Sequence, residues 1–160
     1  MKILVISDSH KDNEKIQRVL DIEGRPDFLI HCGDVECDER IIEQMAGCPC
    51  VIVSGNNDFF YELPREKMIE LEGFRIFVTH GHYYFVSMGP ERIINEALDR
   101  RADLVIFGHT HRPMLLNTEG ITVLNPGSVA YPRQEGRNFS YAVLELERGR
   151  QIACEIRHIK

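Results

Sequence analysis

The chain has no apolar run near the roughly 20 residues that cross a bilayer. Its apolar opening, Met1-Lys2-Ile3-Leu4-Val5-Ile6, reaches Ser7-Asp8-Ser9-His10 too soon for a secretory leader. No membrane association is expected, and a cytoplasmic location is. A surplus of positive charge is also missing: the formal net charge is -6. Duplex-binding surfaces normally carry a basic patch or stripe, so no polynucleotide partner is expected. A small anionic substrate stays possible, because bound metal ions can reverse the sign of a local site. Linkers, repeats and low-complexity segments are absent. At 160 residues, 43% hydrophobic and 28% charged, the composition fits one globular domain over 1–160 with a substantial core.

Thiol pairing is lacking as well. Five cysteines, an odd number, with no leader point to reduced thiols rather than a disulfide framework. Cys48-Pro49-Cys50 has no second close pair to complete a zinc site, so these read as small core or loop residues.

What the chain does contain is alternation. Lys2–Ile6 reads as a strand and Asp12–Ile22 as a helix, with Asp12 as N-cap and Ile16, Val19, Leu20 and Ile22 as its apolar stripe. Asp27–His31 is a second strand, Asp38–Ala46 a helix with Ile41, Ile42 and Met45 inward, and Cys50–Val53 a third strand. Strand, helix, strand, helix, strand is the pattern of parallel pairing with crossover helices. The second half reads as a hairpin over 67–79, a helix over 91–101 after Pro90, a buried strand over 103–107, a hairpin over 114–124 and a terminal antiparallel pair. The expected fold is α/β: two mixed β-sheets packed face to face as a central sandwich with flanking helices. A single doubly wound sheet is the alternative.

Six of these strands end in residues capable of chemistry. The ends carry Asp8 and His10, Asp34, Asn56, His80 and His82, His109 and His111, and Asn125-Pro126-Gly127-Ser128. Ligands bind at the carboxyl ends of strands in such sheets, so the six segments are expected to meet. Five of the seven histidines fall there, which excludes a random surface scatter. Read as an extended segment, Gly108-His109-Thr110-His111 would turn both imidazoles to one side. A set of imidazole, carboxylate and one amide oxygen suits Mn, Fe, Co, Ni or Zn better than Mg. There are too many donors for one tetrahedral site, and two metals sharing a carboxylate is the economical arrangement.

In order, Asp8-Ser9-His10, Gly33-Asp34, Gly55-Asn56-Asn57-Asp58, His80-Gly81-His82 and Gly108-His109-Thr110-His111 resemble the five motifs of the calcineurin-like metallophosphoesterases. Asn125-Pro126-Gly127-Ser128 and Pro132-Arg133 resemble the small single-domain phosphodiesterase branch. The resemblance implies two divalent metal ions, Mn first and Ni, Fe, Co or Zn as alternatives. Asp8, His10 and His111 would hold one, Asn56, His80 and His109 the other, and Asp34 would bridge. It further implies hydrolysis of a small phosphodiester by in-line attack of a metal-bridging hydroxide.

Asn57 departs from that pattern, since many relatives carry histidine there to protonate the leaving group. An asparagine cannot do so; it would bind a phosphate oxygen or finish the turn. His82 would then be the substitute acid, a phosphate donor or a support for His80. Arg133 could reach a phosphate from its loop, or stay solvated. The loop Tyr83-Tyr84-Phe85-Val86 could wall a pocket, pack in its own chain or form a contact in a homo-oligomer. A non-catalytic scaffold of the same fold is the competing function, and turnover of an aryl phosphodiester separates the two.

Overall fold

The computed structural model describes residues 1–159. Among the described residues, ten strands form two five-stranded sheets, and three α-helices cover them. In the first sheet, β1 (Lys2–Ile6) lies between β2 (Phe28–His31), its parallel neighbour, and β9 (Phe139–Glu145), its antiparallel one. The edges are β3 (Cys50–Ile52) and β10 (Ala153–Ile159). The second sheet runs β4 (Glu66–Leu71), β5 (Phe74–Thr79), β6 (Leu104–Ile106), β8 (Ile121–Asn125) and β7 (Met114–Thr118). The sandwich is the arrangement expected from the sequence, and the single doubly wound sheet is not formed.

Period-two alternation builds the layers. Along β1, Ile3 and Val5 face the second sheet, where they meet Ile76, Val78, Leu104 and Ile106. Leu4 and Ile6 point the other way, onto α1 (Asn13–Glu23) and α2 (Glu39–Ala46). On the second sheet, Phe77, Val105 and Val123 pack under Ile93 and Ala97 of α3 (Glu91–Asp99). Each fully buried aliphatic side chain stabilises the fold by about 1.5–3 kcal/mol, so all three apolar layers contribute. Among the described residues, no helix is long and apolar enough to cross a membrane.

Asp12 caps α1 as expected, accepting from the Lys15 amide, whereas Asp38, read as the first residue of the second helix, is its N-cap and accepts from the Arg40 amide. Two inward assignments were wrong. Ile22 is 55% and Ile41 is 41% exposed, because both sit just past the edge of a helical face that Leu20 and Ile42 already fill. The cysteines are free, as expected, and burial pushes the Cys50 thiol up to about 12.

The sheet's far face is fastened by Glu23, whose buried carboxylate meets Arg157 at 2.7 Å, the Tyr141 hydroxyl at 2.7 Å and Lys2 at 3.0 Å. Burial alone would raise its pKa, but these partners together bring it from 4.5 down to about 2. A folded-state value below the unfolded one gives stability that is present above pH 4.5 and lost as pH falls towards 2. Glu23→Gln is expected to cost about 2 kcal/mol at pH 7. That difference should shrink in urea titrations near pH 2.5. An unchanged gap there would contradict the assignment.

Candidate metal centre

Three parallel strands of each sheet, β1, β2 and β3 against β5, β6 and β8, end on the same edge. That edge gathers Asp8, His10, Asp34, Asn56, His80, His82, His109 and His111, all eight singled out from the strand ends. Ligand atoms of Asp8, His10, Asp34 and His111 all lie within 4.8 Å of one another. Asn56 Oδ1 stands 3.0 Å from both His80 Nε2 and His109 Nδ1. Between the two groups, Asp34 Oδ2 lies 3.8 Å from His10 Nε2 and 3.5 Å from His80 Nε2.

The two histidines of the Gly108–His111 segment therefore part company. His109 joins Asn56 and His80, and His111 joins Asp8 and His10, with Nε2 atoms 3.3 Å apart. The picture of an extended strand turning both to one side is corrected: His109 has φ 67° and His111 φ 57°. Left-handed backbone of this kind is rare outside glycine and costs energy unless the surroundings enforce it. Asp8, His10 and Asp34 share it, so five of the twelve such non-glycine residues among those described are donors of this cluster. The concentration marks a site held in place by its framework.

Backbone acceptors decide which face each imidazole offers. His80 Nδ1 lies 2.7 Å from the Cys32 carbonyl and His111 Nδ1 2.6 Å from that of Tyr131. His10 Nδ1 lies 2.8 Å from Glu36 Oε1. A carbonyl or carboxylate beside Nδ1 requires the proton there and leaves Nε2 as a lone pair. Three Nε2 lone pairs thus aim at the carboxylates of Asp8 and Asp34.

Asp8 carries the clearest mark. Its Oδ2 accepts from Ser7 Oγ at 2.5 Å and from the His109 amide at 3.1 Å. Its Oδ1 is fully buried without a hydrogen-bond donor. A buried carboxylate oxygen facing imidazole lone pairs is unfavourable unless a cation or a proton lies between them. The donor set therefore fits divalent metal. Burial would lower the His80 imidazole, yet Asp34 and Asp8 raise it above its ordinary value. Burial likewise opposes ionisation of Asp34, but His80 and Asn57 hold it well below the usual carboxylate range. His82 and His109 move the other way. Burial, reinforced by His80, lowers both, His82 to about 4.

Asn57 lies in the turn after β3, as one of its two readings had it, but its contact with Asp34 was not foreseen. Its backbone amide and its side-chain Nδ2 both donate to Asp34, at 2.9 and 2.8 Å. Of the aromatic loop, Tyr84 reaches Glu66 and Val86 is buried, whereas Tyr83 and Phe85 stay about half exposed under Arg65 and Arg92.

Several supporting residues escaped the sequence reading. Asp58 accepts backbone amides of the Asp34 loop, and Glu36 orients His10. His31, one of the two histidines outside the strand-end segments, is buried beneath the site and pairs with Ser9 at 2.9 Å. Asn125 donates to the Gly108 carbonyl and Thr110, and Ser128 to the Asp8 carbonyl. The Asn-Pro-Gly-Ser segment thus braces the site from behind. That segment and Asp58 had left a signal, each lying in a motif but without an assigned task.

Glycine at 55 and 108 is required by space. A Cβ on Gly108 would stand 1.9 Å from Ser7 Oγ and 2.6 Å from Asp8 Oδ2. On Gly55 it would stand 2.1 Å from Asp34 Oδ1. Gly108→Ala is expected to displace Asp8 and weaken divalent-metal binding about tenfold or more. Metal titration followed by calorimetry checks this, and unchanged affinity would contradict it.

The fold and its donor cluster together define the class, a metal-dependent phosphoesterase. The chain belongs to the calcineurin-like phosphoesterase superfamily, whose domain matches residues 1–149. It is 36% identical to the probable metallophosphoesterase YsnB of Bacillus subtilis, over 92% of this chain and 85% of that one. With phosphodiesterase YfcE of Escherichia coli it shares 28% identity over 91% and 88% of the two chains. A predicted phosphoesterase from Streptococcus pneumoniae superposes with a TM-score of 0.81 at 31% identity, covering 91% of this chain and 83% of that one. Vps29 of Entamoeba histolytica, solved in complex with Zn+2, gives a TM-score of 0.78 at 22% identity over 99% of each chain, a likeness of fold.

Proposed function

We propose that the chain, one domain over residues 1–160, is a phosphodiesterase of small phosphodiesters that uses two divalent ions. The observation that carries this reading is the orphaned Asp8 Oδ1 among imidazole lone pairs, on an edge shared by two sheets. Asp8, His10 and His111 would take one ion, and Asn56, His80 and His109 the other, with Asp34 between the groups and facing both. When bound, such ions supply positive charge opposite the phosphoryl oxygens and a water whose pKa is low enough to attack phosphorus. Mn is the first ion to test, then Ni, Fe, Co and Zn.

The protein's own groups set the rest of the chemistry. Glu36, the Cys32 carbonyl and the Tyr131 carbonyl hold three imidazoles in the tautomer that presents Nε2. Asn57 fixes the Asp34 carboxylate through two hydrogen bonds. His82, lowered to about 4, is neutral at pH 7, so it can offer an N–H to a phosphoryl oxygen but is a poor source of a full proton. Its buried Nδ1 has no partner in the protein. Neither Asn57 nor His82 is suited to protonate a strongly basic alkoxide.

Substrates with acidic leaving groups are therefore favoured. Bis(4-nitrophenyl) phosphate should be cleaved with Mn or Ni at least about a hundredfold faster than dimethyl phosphate. Asn57→His should narrow that gap by speeding the alkyl ester. Rates independent of leaving-group pKa, with Asn57→His leaving alkyl esters unchanged, would overturn this assignment. No turnover with any divalent ion would favour the scaffold function instead.

A further inference from the structure

A cavity of about 480 Å³ lies beside the loop that carries His109 and His111 and has no part in the chemistry above. Thr110, which stands between His109 and His111 in the chain, lines it, and none of the donor residues does. Arg133 lines it too, its backbone amide donating to the His111 carbonyl at 3.0 Å. Val86, Met88, Phe107 and Met114 give the cavity an apolar side, and Arg112 and Arg133 a cationic one. None of its eleven lining residues is acidic, in a chain with 25 Asp and Glu. Glu91, at the start of α3, folds against Gly89 without lining the space. Among the described residues neither guanidinium has an acidic partner, whereas Arg40, Arg100, Arg150 and Arg157 each do. Two free guanidinium groups on a cavity beside that loop are suited to bidentate capture of a carboxylate or phosphate.

We propose that this cavity is a subsite for one ester substituent of the substrate, and that Arg112 and Arg133 select a substituent bearing its own negative charge on an apolar body. The inference rests on the phosphodiesterase reading and names its substrate class: a diester with an additional carboxylate or phosphate on one side. The apolar wall takes up the body of the substituent, and the arginines its anionic end.

The test compares bis(4-nitrophenyl) phosphate with its symmetrical analogues carrying a carboxylate or a phosphate on each ring, so that either substituent can enter the cavity. Arg112→Gln with Arg133→Gln should lower the kcat/KM ratio of charged to uncharged diester about tenfold or more. Arg150→Gln, which removes an exposed charge elsewhere, should leave the ratio unchanged. The carboxylate and phosphate arms identify which anion is preferred. In parallel, calorimetry on the metal-free protein measures binding of the free carboxylated nitrophenol, which should weaken about tenfold in the double variant. A ratio that does not move, or equal losses on charged and uncharged diesters, overturns the subsite. If no diester is hydrolysed with any divalent ion, the phosphodiesterase reading fails, and the calorimetric arm still decides whether the cavity binds the anion.

Discussion

Asp34→Asn is expected to remove phosphodiester hydrolysis, by about a thousandfold or more, on every substrate the wild type accepts. Asp34 is 2% exposed, and its Oδ2 faces His10 on one side and His80 on the other. Asp8 Oδ1 also lies 3.9 Å from His80 Nε2, but its near neighbour is His111 Nε2 at 3.1 Å, so Asp34 is the more evenly shared carboxylate. Asparagine has the same shape, so the fold should persist, but it supplies one neutral oxygen where the carboxylate supplies two charged ones. Its amide would also face the side-chain Nδ2 of Asn57, which now donates to Asp34 at 2.8 Å, placing donor against donor. Metal content of the purified variant should fall below that of the wild type, read by elemental analysis, while its thermal midpoint stays near that of the wild type. Retained turnover would remove the bridging assignment, and lost turnover with lost folding would leave Asp34 a structural residue.

The strand ends were legible because parallel strands must all finish on one edge. Once six of them were seen to end in carboxylate, imidazole or amide, their meeting followed from topology. The alternation along β1 separated the two apolar layers in the same way. Other features depend on contacts that periodicity does not carry. Glu36 reaches His10 across 26 residues, and His31 reaches Ser9 across 22, each by way of two neighbouring parallel strands. The left-handed backbone at Asp8, His10, Asp34, His109 and His111 is likewise a tertiary result. None of these residues prefers it strongly, and only the surrounding hydrogen bonds hold it. Ile22 and Ile41 show the opposite failure, where apolar residues at helical spacing lie just outside a face already filled.

Asp58 presents the second large effect, and it separates support from chemistry. The side chain is 5% exposed and does not face the donor cluster. Its Oδ2 accepts the amides of Asp34 at 2.8 Å, Gly55 at 2.7 Å and Val35 at 3.3 Å, and its Oδ1 that of Glu36 at 2.7 Å. One carboxylate therefore satisfies the turn after β2 and the turn after β3, the two loops that carry Asp34 and Asn56. Asp58→Ala strips acceptors from four amides, two of them, at Asp34 and Val35, on buried residues. Each buried donor left unsatisfied costs about 1–3 kcal/mol, so a loss of about 4 kcal/mol is expected in urea unfolding at pH 7. Asp58→Asn keeps one acceptor and turns its amide towards backbone N–H groups, and should fall between alanine and wild type. An ordinary exposed turn or cap residue would cost only about 1 kcal/mol, and a loss that small for alanine would refute the role. Because the same loops position Asp34 and Asn56, metal affinity should fall together with stability in both variants, alanine more than asparagine. Loss of turnover with stability and metal content intact would instead place Asp58 in the chemistry itself.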